Sequence, residues 1–133
     1  MQKIKYNSLN SRQKENYNFH KVAAVLADYG FTSIRLSDDW QSADFIAQHI
    51  DGETFLKIQL KGRMSIDKKY IGKNIHICFP YGNAWYLFPH DEVVEYLLSS
   101  SNIGKTVSWI ENGAYSFKII SQKNINYFKS FML

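Results

Sequence analysis

The chain changes its hydrophobic period at Gly30. Before it, Phe19, Val22, Leu26 and Tyr29 recur at three- and four-residue intervals, which sets them on one stripe and predicts a helix over residues 12–29. Asn10 or Ser11 can cap its start, and Gly30 stands where a helix ends on a glycine. Beyond Gly30, apolar and polar residues alternate or form short apolar runs, as strands do. Phe31–Leu36 predicts a first strand, and Ser37–Ala43 a loop into the next. Asp44–Ile50 and Glu53–Lys61 read as the arms of a hairpin around Asp51-Gly52, a pair suited to a two-residue turn with positive φ.

Such a turn sets Ile50 against Glu53 and Asp44 against Gln59, with Lys61 diagonal to Asp44 on the same side of the sheet. Leu56, Ile58 and Leu60 then point into a core, while Phe55, Lys57, Gln59 and Lys61 share the polar side. A three-residue loop with a bulge would shift the pairing by one residue and turn Asp44 against a core-facing position. Both registers are open at this point.

Further along, Asn74–Phe79 and Ala84–Phe88 predict two strands around the turn cluster Pro80-Tyr81-Gly82-Asn83. A helix continues from Pro89 to about Ser99, with Asp91 and Glu92 in its first turn and Val93, Val94, Leu97 and Leu98 buried. Asn112-Gly113 either closes a hairpin between Val107–Glu111 and Ala114–Ile119 or ends a short helix opened by Ser108-Trp-Ile-Glu111. Ser121 is expected to cap a last helix that turns Ile125, Phe128 and Met132 inward. The mixture predicts the α/β class and one domain over residues 1–133.

Composition narrows the function classes. With 133 residues, 45% hydrophobic, 16% aromatic and two prolines, the chain can bury a core without staples and is not a disordered tail. No apolar run is long enough to span a bilayer, and Met1–Asn7 lacks the apolar segment of a signal peptide. A soluble cytoplasmic protein with no membrane partner is expected. The single cysteine, Cys78, sits in an apolar run and reads as a buried thiol, which excludes an internal disulfide and a cysteine-rich zinc site. His20, His49, His76 and His90 are too scattered for a ligand cluster and read as structural, His90 nearest a rim.

The net charge of +4 is concentrated. Lys57, Lys61, Arg63, Lys68, Lys69 and Lys73 face a single acid, Asp67, within seventeen residues. A basic segment next to the polar face of the hairpin suits a phosphate backbone, and it also suits a solvated loop. Gly62, bare of a side chain, would let a ligand approach closely. Glu15 is the odd residue of the first helix: at about 100° per residue it falls inside the apolar stripe, one turn before Phe19. Either the first turn overhangs the core and the helix dipole favours the carboxylate there, or Glu15 points over the sheet toward Asp44, Gln59 and Lys61.

Helix, strand, strand, strand, with a carboxylate opening the second strand and Gln-x-Lys ending the third, resembles the PD-(D/E)XK phosphodiesterase superfamily over roughly Glu15 to Leu98. The resemblance implies a restriction-endonuclease-like α-β-β-β core with further strands, a following helix and a C-terminal helix. It makes Asp44 the first acid of the motif, Gln59 the second ligand position and Lys61 the lysine, and Glu15 looks like the extra helix carboxylate of resolvase-type members. Ala43-Asp-Phe-Ile, Ile58-Gln-Leu-Lys61, Ile75-His-Ile-Cys-Phe and Trp85-Tyr-Leu-Phe-Pro89 are most similar to nucleases related to group I intron homing enzymes. Gln59 replaces the usual acid and Ala43 a frequent proline. The first change removes charge from a site for a hard cation, so Glu15 becomes the deciding residue, with Asn18 one turn nearer Gly30 as its substitute.

The resemblance implies a metal-dependent phosphodiesterase, a DNA endonuclease. Asp44, the Gln59 carbonyl, the Leu60 backbone carbonyl and Glu15 would hold Mg²⁺ or Mn²⁺, and Lys61 would orient the attacking water or stabilise the transition state. Lys57, Arg63, Lys68, Lys69 and Lys73 would bind flanking phosphates, with Tyr70 packing on sugar or base. Similar nucleases usually pair subunits, which implies a homodimer or higher homo-oligomer. Two alternatives remain: a catalytically inactive nucleic-acid-binding module of the same fold, and an aromatic-rich protein-interaction domain.

Overall fold

The computed structural model describes every residue except Asp39 and the side chain of Trp40, so that part of the expected Ser37–Ala43 loop lies outside the described residues. Helix α1 spans Ser11–Ala27. Its start is a reciprocal cap: the Asn10 side chain accepts from the Gln13 N–H, and the Gln13 side chain accepts from the Asn10 N–H, both at 2.9 Å. It buries Val22 and Leu26 completely, and Phe19 packs beside them. Tyr29, expected on the same stripe, is half exposed. It lies past Ala27, in the turn that reverses at Gly30 with φ 83°, so the helical projection no longer holds for it.

The strands, in chain order, are β1 (Phe31–Arg35), β2 (Phe45–His49), β3 (Phe55–Leu60), β4 (Ser65–Asp67), β5 (Ile75–Tyr81), β6 (Ala84–Pro89) and β7 (Ala114–Ser116). Five form one sheet in the order β1-β2-β3-β5-β6, in which only β3 and β5 run parallel. β4 and β7 pair as a small second sheet. The hairpin register is Phe45↔Ile58, Ile46↔Lys57, Ala47↔Leu56 and Gln48↔Phe55, the one that sets Asp44 against Gln59.

The turn that fixes this register is not the expected one. His49 N–H donates to Thr54 O at 2.9 Å and encloses a four-residue loop, Ile50–Glu53, in which only Gly52 has positive φ. Asp51 stays in ordinary backbone space, and its carboxylate accepts from the Glu53 and Thr54 N–H groups and the Thr54 hydroxyl. Loops of two and of four residues are both centred on Asp51-Gly52. Because they share that centre and an even length, the pairing is the same for either.

The two faces of the sheet carry separate cores. Under α1 lie Phe45, Ala47, Ile58 and Cys78. The opposite face holds a larger aromatic core in which Phe79, Phe88 and Phe128 meet edge-on or tilted at 5.7–6.1 Å between ring centres. Helix α2 (His90–Ser100) and helix α3 (Gln122–Phe128) close it. Leu98, expected inside, is 39% exposed on the outer side of α2.

Further expectations are corrected on this side, and one left open is resolved. The segment after Lys61 is not an open basic loop: Met64, Ile66 and Tyr70 are buried, so the chain folds into β4 and a 3₁₀ turn with its bases outside. Pro80 and Tyr81 belong to β5, pairing with Trp85 and Ala84. Pro80 lies beyond the part of β5 that pairs with β3, where its missing N–H costs no ladder bond. In the last third the helical alternative holds, as a π-turn over Ser108–Asn112 that ends at Gly113 in the left-handed region, φ 72°. Ala114–Ser116 pairs with β4, not with the preceding segment. Ser121 caps α3 through the Asn124 N–H. Met132 lies past the helix and is half exposed. No helix among the described residues is long and apolar enough to cross a membrane.

Candidate functional site

The antiparallel run β1-β2-β3 brings the end of β1, the start of β2 and the end of β3 to one edge of the sheet. The first half of α1 covers that edge, because Phe19 packs on Phe45 at 5.2 Å between ring centres. Between helix and strand ends lies a cleft of about 570 Å³. Glu15, Asp44, Gln59, Leu60 and Lys61 all line it. Glu15 is exposed and lines this cleft from the first turns of α1.

Asp44 and Lys61 are held by the backbone around them. The Asp44 carboxylate accepts from the Leu60 N–H at 2.8 Å, its own N–H donates to Ile58 O at 2.8 Å, and its carbonyl accepts from Leu36 N–H at 3.1 Å. The acid is thus pinned onto β3 beside Gln59. Lys61 N–H donates to Cys78 O at 2.8 Å, which ties the end of β3 to β5. The Gln59 side-chain oxygen is buried with no donor. An unsatisfied buried acceptor costs about 1–3 kcal/mol, and one beside a carboxylate is suited to a cation. Ala43, just before Asp44, is fully buried.

Just before Asp44, Gln41 and Ser42 both have positive φ, 49° and 67°. Two successive non-glycine residues in the left-handed region store strain of a kind found at functional sites. Two bases of the lysine-rich segment are bound to this bend: Lys57 Nζ donates to the Gln41 side chain at 3.4 Å and Lys73 Nζ to the Ser42 hydroxyl at 3.3 Å. Lys68 lies over the Trp109 ring and Lys69 pairs with Asp67 at 3.8 Å. Arg63, Lys68 and Lys69 are exposed, and none of the three lines the cleft.

Tyr70 cannot pack on a base or sugar as expected. It is 2% exposed, with its ring edge-on to His90 and the Lys61 and Lys69 ammonium groups 5.3 and 5.1 Å from its centre. Burial first, with the Asp67 and Asp44 carboxylates, raises its phenol above the ordinary range against the opposing pull of the Lys69 ammonium. His90 is likewise interior rather than at a rim. Its Nε2 accepts from the Asp67 N–H at 3.1 Å and its Nδ1 meets the Asp91 carboxylate at 3.0 Å. Burial lowers its pKa, and burial lowers that of His76, whose Nδ1 has no partner. The Cys78 thiol is pushed up to about 12 by burial, as a structural thiol should be.

Sequence reasoning missed Arg35, Lys14 and Asp38, which also line the cleft. Arg35 was within reach of the hairpin logic extended by one strand, since it ends β1 directly opposite Phe45. Among the described residues, no three His, Cys, Asp or Glu side chains gather as a metal cluster. The oxygen donors that line the cleft are the carboxylates of Glu15, Asp38 and Asp44, the amide oxygens of Asn18 and Gln59, and backbone.

No family model and no curated protein sequence matches the chain. Solved structures do. A bacterial homing endonuclease superposes with a TM-score of 0.53 at 13% identity, over 91% of this chain and 88% of that one. Hjc, a Holliday junction resolvase from the archaeal hyperthermophile Archaeoglobus fulgidus, matches with a TM-score of 0.46 at 16% identity, over 57% of this chain and 72% of that one. The fold is α/β and restriction-endonuclease-like, as in the homing endonuclease it superposes on.

Proposed function

We propose that the chain is a metal-dependent phosphodiesterase that cleaves DNA as an endonuclease. The observation that carries this reading is the meeting of Asp44, Gln59, Lys61 and Glu15 in one cleft at the edge of a nuclease-type sheet. The residues fit a hard divalent cation, because the buried Gln59 oxygen lacks a donor and lies next to the Asp44 carboxylate in sequence pairing. Asp44, the Gln59 oxygen, the Leu60 carbonyl and Glu15 would hold Mg²⁺ or Mn²⁺, which when bound supplies Lewis acidity and a more acidic water.

The protein's own groups do the rest. Asp44 is kept in place by the Leu60 N–H, so its carboxylate is aimed before substrate arrives. Lys61 presents a cation to the non-bridging oxygens of the scissile phosphate, where charge grows in the transition state. Arg63, Lys68 and Lys69 bind phosphates outside the cleft, while Lys57 and Lys73 act there and also steady the bend at Gln41-Ser42. Pairing of subunits, to address two strands, and a cytoplasmic location belong to the same reading.

The test is nicking and cleavage of plasmid and branched DNA with Mg²⁺ or Mn²⁺, for the wild type, Asp44→Ala and Lys61→Ala. Loss in both variants supports the reading, and unchanged activity in both rejects it. A second reading is a silent DNA-binding module, favoured by the lack of a three-residue metal cluster among the described residues. Salt-dependent binding without cleavage, and no gain on Gln59→Glu, would establish that reading instead.

A further inference from the structure

The lysine-rich segment is not the only basic surface at the site. Arg35 lines the cleft from the opposite wall, where β1 ends. Its guanidinium is held on one side by the Asn16 side-chain oxygen of α1 and lies over the Phe19 ring, 5.4 Å from the centre. Neither contact neutralises it. The ion pairs among the described residues are His49–Asp51, Lys69–Asp67 and His90–Asp91, so no carboxylate of that set pairs with Arg35. An arginine fixed by an amide and an aromatic face, and in no ion pair among the described residues, keeps its remaining guanidinium donors for an oxyanion. Lys14 is a second cation on this wall, half-buried with its ammonium 5.4 Å from the Tyr6 ring centre.

We infer that Arg35, assisted by Lys14, forms a backbone subsite for a DNA phosphate next to the scissile one, on the α1 side of the cleft. This rests on the phosphodiesterase reading of the same cleft. Lys61 enters from β3 and Arg35 from β1, with the β2 start and Asp44 between the two strand ends. A strand laid across this edge meets a cation on each side of Asp44. The Arg35 contact is to a phosphate that does not react, so it acts mainly on binding and registers the backbone over Asp44.

The experiment measures binding of fluorescently labelled duplex and branched DNA by anisotropy in EDTA, over salt from about 50 to 200 mM. The proteins are the wild type, Arg35→Gln, Arg35→Lys and, as a matched loss of charge outside the cleft, Arg12→Gln; circular dichroism melts accompany each. Arg35→Gln is expected to weaken binding about tenfold and to lower the salt slope by about 0.9, one phosphate contact. Arg35→Lys should restore the slope but only part of the affinity, since a point charge replaces a bidentate fork. Arg12→Gln should change the slope by less than half as much. In single-turnover cleavage the Arg35→Gln defect should fall chiefly on the half-saturating concentration. If wild-type protein binds with a salt-dependent affinity that Arg35→Gln leaves intact, or if Arg12→Gln has the same effect, the subsite is wrong and the cleft reading stands. If wild-type protein does not bind DNA even at low salt, both fall.

Discussion

The two faces of the central sheet differ in what they can spare. On one side, Phe79, Phe88 and Phe128 interlock under α2 and α3, and four of the eleven residues of α2 are buried. On the other, α1 is longer but buries only Val22 and Leu26, with Phe19 at the edge. The thick aromatic core supplies stability, and the thin core frees the first half of α1 to present Lys14, Glu15 and Asn18 to a cleft. The Gln59 oxygen, buried with no donor, and the positive-φ bend at Gln41-Ser42 lie near the strand ends that line this cleft. A site that must leave acceptors unsatisfied needs an anchor elsewhere.

That contrast can be broken by substitution. Asp44→Ala should lower cleavage by about 10³-fold or more, roughly 4 kcal/mol of transition-state stabilisation, and Lys61→Ala by about 10²-fold. Both variants should melt close to the wild type. A loss of thermal stability matching the loss of activity would mean that the edge is structural, not chemical. Phe128→Ala on the thick side should do the reverse. Removal of its ring from a core where it is 1% exposed should cost about 3–4 kcal/mol in denaturant unfolding. Cleavage per folded molecule should survive. If activity is lost before stability, the two sides are not separable.

The smallest effect concerns pH. His76 and His90 are buried with their pKa values lowered from 6.5, so the folded state binds fewer protons than the unfolded one. Their contribution to stability is complete above about pH 6.5 and is lost as pH falls through the lowered folded values. The melting temperature should drop between neutral and mildly acidic pH, and His76→Leu should shrink that drop. His90→Gln should also shrink it, at the expense of the contacts to Asp67 and Asp91.

The hairpin and α1 are legible in the sequence because their signals are local. Helical spacing ending at Gly30, and Asp51-Gly52 between alternating arms, put Asp44 opposite Gln59 even though the turn is longer than expected. Symmetry of the loop about its centre protects the register. The basic segment reads wrongly because its three buried residues, Met64, Ile66 and Tyr70, find their core only when β7 returns from fifty residues later. Tyr70 and His90 are hidden by that same long-range closure. Arg35 escapes for the opposite reason: its strand is plain in the sequence, but its place at the cleft depends on the neighbour across the sheet.

The most direct test of the central claim, that the hairpin edge builds a cation site, is a Mn²⁺ titration read by electron paramagnetic resonance on the whole chain. Wild-type protein should take up Mn²⁺ that Mg²⁺ displaces, Asp44→Ala should lose that binding, and Gln59→Glu should tighten it by about tenfold as charge is restored. Mn²⁺ binding that is equal in all three proteins would contradict the account.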